Sequence, residues 1–127
     1  MTDFCVNDPG TLAELTSAFE RYEDALVNNK VEVLDELFWN STMTVRYGTG
    51  ENLVGYEAIK AFRAGRSPIG LARTLRNTVI TTYGQDMGTA MTEFVRDGAA
   101  RTGRQSQTWV RFPDVGWRVV AAHVSLL

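Results

Sequence analysis

A tyrosine set in an aliphatic and phenyl stripe is the first residue of this chain with a chemical possibility. Leu12, Leu15, Phe19, Tyr22 and Leu26 recur at steps of three and four, so they share one helical face. A phenol buried on such a face needs a hydrogen-bond partner. Two readings of Tyr22 follow. It is a core tyrosine whose hydroxyl meets a backbone carbonyl or water, or its hydroxyl projects into a cavity as a proton donor. Arg46 poses a similar choice. It shares a strand face with Thr42 and Thr44, opposite Met43, Val45 and Tyr47. Facing solvent, these residues are the polar side of an antiparallel strand. Facing inward, they line a polar pocket.

Further along, Gln105, Gln107, Trp109 and Arg111 share a face opposite Ser106, Thr108, Val110 and Phe112. A Gln–Trp face suits a pocket wall or a dimer contact, since aromatic side chains are enriched at interfaces. Arg63, Arg66, Arg73 and Arg76 cluster around one helix and the strand after it. Most are expected in water or paired with acids, and one facing inward can hold a carboxylate. His123 reads first as a satisfied core histidine, and Glu93 as the partner of an arginine in a structural ion pair. Of 13 basic residues only Lys30 and Lys60 are lysine. Arginine's planar fork grips carboxylates with two prongs, so the bias hints at an anionic ligand. A compositional preference explains it equally well.

Much chemistry is excluded. A single cysteine, Cys5, and a single histidine leave zinc clusters and Ser-His or Cys-His triads short of parts. There is no metal-ligand spacing, phosphate-cradling glycine loop or dinucleotide fingerprint. An enzyme made of these residues works without metal or cofactor, by binding, proton donation and electrostatics. The chain has 127 residues, 44% of them apolar, and a net charge of −2. Those figures predict one globular domain over 1–127 and argue against a nucleic-acid partner, whose binder carries a basic surplus. No apolar run reaches the roughly 18–20 residues of a membrane helix, and no basic-then-apolar leader is visible. With one unpaired cysteine, the expected location is the cytoplasm.

The elements that must position these residues are legible from period and punctuation. Asn7-Asp8-Pro9-Gly10-Thr11 opens a first helix, which Asn28-Asn29 stops. A short helix is predicted over 31–38, a strand over 42–47 and a third helix over 56–66, ending near Ser67-Pro68. Strands follow over 75–83, 88–95, 105–112 and 117–125, with Asp97-Gly98 as a hairpin signal. The expectation is an α+β domain in which three helices cover a curved antiparallel sheet. A cone-shaped cavity between the layers is expected, and pockets favour such places.

That order, with Gln107-Thr108-Trp109-Val110-Arg111 and the closing run Gly116-Trp117-Arg118-Val119-Val120-Ala121-Ala122-His123-Val124-Ser125, resembles the SnoaL-like members of the nuclear transport factor 2-like superfamily. Fold alone decides little about function there. Phe19-Glu20-Arg21-Tyr22, Leu37-Phe38-Trp39, Val45-Arg46-Tyr47-Gly48, Gly70-Leu71-Ala72-Arg73-Thr74 and the segment from Gly103 to Phe112 are similar to the AtzH-like group. The resemblance covers almost the whole chain. It implies decarboxylation of 1,3-dicarboxyurea to allophanate and carbon dioxide in cyanuric acid (s-triazine) breakdown. It also implies that Tyr22 and Arg46 are the functional pair. The group includes proteins associated with oxalurate catabolism as well.

The implied substrate is a dianion. Arg46 is expected to fix a carboxylate or polarise the urea carbonyl, and Tyr22 to donate a hydrogen bond or proton toward the departing nitrogen. A phenol is protonated at neutral pH and can donate there. Arg73 is expected to take another carboxylate, Gln107 the urea amide, and Trp109 to line the pocket. A homodimer through the open sheet face is the default assembly, with a functional link to amidase-family hydrolases and no membrane partner. Two other functions stay open at this point. One is an isomerase or dehydratase with Glu93 as its base. The other is an accessory binding subunit for an amidase, with no chemistry of its own.

Overall fold

The computed structural model describes residues 4–127. Asp8 caps the first helix, α1 (Pro9–Val27): its carboxylate accepts from the Thr11 amide at 3.1 Å and the Thr11 hydroxyl at 2.9 Å. The apolar stripe turns inward, burying Leu15, Phe19, Tyr22 and Leu26. The chain then reverses at Asn29, which takes the left-handed conformation that asparagine tolerates (φ 51°). Helix α2 (Val31–Leu37) adds Leu34 and Leu37 to the same core. Helix α3 (Tyr56–Ala64) contributes Ile59 and Arg63. It stops two residues before the periodic pattern does, at Gly65, and that early stop carries Arg66 off the helix.

The four long strands are the expected meander: β3 (Thr74–Tyr83), β4 (Met87–Val95), β5 (Gly103–Phe112) and β6 (Gly116–Leu126). The predicted strand over 42–47 is shorter. Only β1 (Val45–Tyr47) pairs, and Gly48-Thr49-Gly50 returns it into an unexpected partner, β2 (Asn52–Val54). The sheet order is β2-β1-β6-β5-β4-β3, and β1 runs parallel to β6. The sheet is therefore mixed, not antiparallel throughout. Three helices lie on one face of it, giving the α+β cone expected from the element order.

Register decides what faces the helices. Leu53, Arg46, Ala122, Gln107, Ala90 and Ile80 form one row across all six strands on the inner side. The neighbouring outer row is Asn52, Tyr47, His123, Ser106, Met91 and Val79. A bulge opposite Thr108/Trp109 reverses the alternation of β6, so Trp117 and Val119 face in, and then Ala122 does. Two expectations fail here. His123 is exposed on the outer face, edge-on to Tyr47 at 5.9 Å, and is no core histidine. Glu93 is also on the outer face. It accepts a 3.0 Å hydrogen bond from Asn77 and makes no arginine ion pair among the described residues. No helix among those residues is long and apolar enough to cross a membrane.

Candidate functional site

Tyr22 is delivered to the interior by the α1 stripe and is 6% exposed. Its ring is edge-on to the Trp109 indole at 6.3 Å and tilted against Phe38 at 6.1 Å. Among the described residues its hydroxyl makes no hydrogen bond, and it is not sealed from solvent as the orphaned guanidinium nitrogens nearby are. Neither a backbone carbonyl nor a side chain among the described residues holds this hydroxyl, which leaves water or a ligand as its partner. The phenol is free to donate.

The polar face of the first strand turns inward rather than to solvent. Arg46 stands in the inner row, one strand from Gln107 with Ala122 between them. Its side chain is 15% exposed, lies over Phe62 at 5.6 Å and reaches Glu51 at a long 3.4 Å. The two threonines of that face do not join it. Thr44 is buried and donates its hydroxyl to the Trp39 carbonyl at 2.7 Å, while Thr42 is exposed.

Arg73 lies deeper than expected. Its Nε and Nη2 donate to the two oxygens of Glu23 at 2.8 and 2.7 Å, and Nη2 also donates to Gln105 Oε1 at 3.1 Å. A fork already closed on a carboxylate is not a vacant clamp, so Arg73 stands behind the site and orients Gln105. Trp109 is fully buried and donates its indole N–H to Gln107 Oε1 at 3.0 Å. Gln107 in turn directs an amide nitrogen inward with no partner among the described residues.

Three further arginines complete the surroundings. Arg63 pairs with Asp35 and stacks over Phe38 at 4.9 Å. Arg66 and Arg96 form no ion pair among the described residues, although Nε and Nη2 of the first and Nε of the second are buried. Burial is the main cause lowering the Arg66 pKa from its usual value. Arg63, Arg46 and Arg96 push the same way, and Tyr22 opposes. Burial likewise lowers that of Arg96, helped by Arg73 and opposed by Glu23.

Sequence reasoning grouped Arg66 with its neighbours without distinguishing it, and did not single out Arg96. Gly65, which releases Arg66 from the helix, and Phe94, two residues before Arg96 on the inner side, were the available signals. Glu93 points the opposite way from the site, which removes the strand carboxylate proposed as an isomerase base. The groove lined by Met91, Ser106 and His123 is also on that outer face.

Comparisons agree with this architecture. The AtzH-like family model matches residues 4–127. A crystal structure of a protein of unknown function from Pectobacterium atrosepticum is 62% identical, with TM-score 0.94 over 96% of this chain and 94% of that one. A cystatin-like fold protein from Burkholderia xenovorans is 47% identical, with TM-score 0.94 over 98% of each chain. A nuclear transport factor 2-like superfamily protein from Salmonella enterica is 25% identical, with TM-score 0.74 over 92% of this chain and 91% of that chain. No curated protein matches the sequence. With its helices, its mixed six-stranded sheet and nearly all its length accounted for, the chain belongs to the AtzH-like family, on the nuclear transport factor 2-like fold.

Proposed function

We propose that this protein decarboxylates 1,3-dicarboxyurea, giving allophanate and carbon dioxide. The observation that carries the reading is the unpartnered hydroxyl of Tyr22, whose ring packs on Trp109 on the same inner side of the sheet to which Arg46 turns. In the reaction the bond between a urea nitrogen and its carboxylate carbon breaks. The electron pair stays on nitrogen and spreads to the urea oxygen, and one proton is taken up per turnover. Arg46 holds a carboxylate or polarises the urea oxygen, where negative charge grows. Tyr22 supplies the hydrogen bond or proton, and its hydroxyl is replenished from solvent. General-acid help of this kind contributes about 10²–10⁴-fold.

The proposed set is Tyr22 and Arg46 at the reacting end, with Gln107 donating to the urea and Trp109 fixing Gln107. Arg73 acts through Glu23 and Gln105. The carboxylates on this side, Glu23, Asp35 and Glu51, are each paired with an arginine, which disfavours carboxylate-base chemistry. For assembly, we propose a homodimer through the outer sheet face, where Tyr47, Val79 and Met91 are 42%, 57% and 47% exposed. Purified protein, with no amidase present, is expected to release carbon dioxide from freshly generated dicarboxyurea faster than the spontaneous rate. Release at the spontaneous rate, accelerated only when an amidase is added, would replace this reading with an accessory role.

A further inference from the structure

Besides the Thr82 hydroxyl, four side chains carry N–H donors that are buried and unanswered among the described residues. They are Arg66 through Nε and Nη2, Arg96 through Nε, and Gln105 and Gln107 through their amide nitrogens. Every one of these atoms donates. The acceptor oxygens of the two glutamines are already engaged, by Arg73 at 3.1 Å and by Trp109 at 3.0 Å. Guanidinium and indole groups can only donate, so neither amide can turn round, and each nitrogen stays directed away from its donor. Folded proteins leave few such donors unmatched. An array of donors without an acceptor fits an anion.

Charge points the same way. Around this interior stand the guanidinium groups of Arg46, Arg63, Arg66, Arg73 and Arg96, against the carboxylates of Glu51, Asp35 and Glu23. Two positive charges are left uncompensated, in a chain whose net charge is −2. Those carried by β4 and β5 and their neighbours are linked by contact. Arg96 and Arg73 both stack on Phe94, at 5.2 and 4.5 Å, Arg73 holds Gln105, and Gln107 holds the Trp109 that meets Tyr22.

We propose that Arg66 and Arg96, with the amide donor of Gln105, hold the carboxylate that is not lost while Gln107 meets the urea between the two ends, so that the site is a two-anchor receptor for short dicarboxylates and discriminates against monoanions. The assignment rests on the reading that carbon dioxide leaves from the Tyr22–Arg46 end. It also accounts for product release. Loss of one carboxylate leaves one anchor unfilled, so the monoanion is held more weakly than the dianion it came from.

Glutarate is the probe, because its chain has as many atoms between carboxylates as dicarboxyurea and no nitrogen–carboxylate bond to break. Valerate replaces one of its carboxylates with a methyl group. By calorimetry, glutarate is expected to bind at least about tenfold more tightly than valerate, the scale of one charge-assisted contact. Arg66→Met and Arg96→Met should each weaken glutarate about tenfold, the same scale, with stability kept close to that of wild type. Gln107→Glu keeps the oxygen that Trp109 requires and replaces a donor with negative charge, so it should weaken glutarate even if an arginine variant fails to fold. Equal affinity for glutarate and valerate, or glutarate affinity unchanged in these variants, overturns the proposal. Glutarate bound in the expected pattern by a protein that leaves dicarboxyurea intact would keep the receptor and remove the decarboxylase. Turnover without the glutarate preference would do the reverse.

Discussion

The corner around Arg73 and the rim around Arg66 use the same side chain in opposite ways. The Arg73 side chain is 1% exposed and closed on Glu23 and Gln105. Arg66 has buried donors, yet meets no carboxylate among the described residues. In the first region burial is compensated, so the pair fixes α1 against the sheet and sets the direction of a glutamine amide. In the second, desolvation is left unanswered, a cost that a folded chain tolerates where a ligand supplies the missing charge. Partnering, rather than residue type or burial alone, separates architecture from binding.

The largest test of that contrast is Arg73→Met, which leaves the partly buried Glu23 without its cation. The expected loss is about 3–5 kcal/mol of stability, read from the urea midpoint at unchanged slope. Adding glutarate at a hundred times its dissociation constant should stabilise wild type by about 2.7 kcal/mol and Arg66→Met by much less at the same concentration. Gly103→Ala probes the floor of the rim, because an added Cβ overlaps the Phe94 ring on which both Arg73 and Arg96 stack. A loss of about 1–3 kcal/mol is expected from the overpacking, with weaker glutarate binding measured alongside. The smallest effect belongs to Arg66→Met without ligand. Its stability should stay within about 1 kcal/mol of wild type, or rise, because an unmatched desolvated charge has been removed. A large destabilisation there would place Arg66 with Arg73.

The α1 stripe and the meander were readable because each follows from a short-range period. Leu15, Phe19 and Tyr22 face inward through spacing alone, and Gln105, Gln107 and Trp109 stay together because β5 alternates without interruption between them. The parallel contact of β1 with β6 joins segments more than seventy residues apart, and no local pattern announces it. His123 was misplaced for a definite reason. Strict alternation from Trp117 and Val119 would turn it inward, and the bulge opposite Thr108/Trp109 moves that place to Ala122. The binding residues were hardest to read, because their meaning lies in pairing. Arg73 finds Glu23 across 50 positions and Arg63 finds Asp35 across 28, while Arg66 and Arg96 are defined by finding no acid among the described residues.

Tyr22→Phe isolates the claim on which the rest depends, since it removes one hydroxyl and leaves the ring packed against Trp109 and Phe38. The measurement is kcat for dicarboxyurea beside the glutarate dissociation constant of the same preparation. The account predicts a fall in kcat of about 10²–10⁴-fold with glutarate affinity little changed. Wild-type turnover by Tyr22→Phe, with the fold intact, would contradict it.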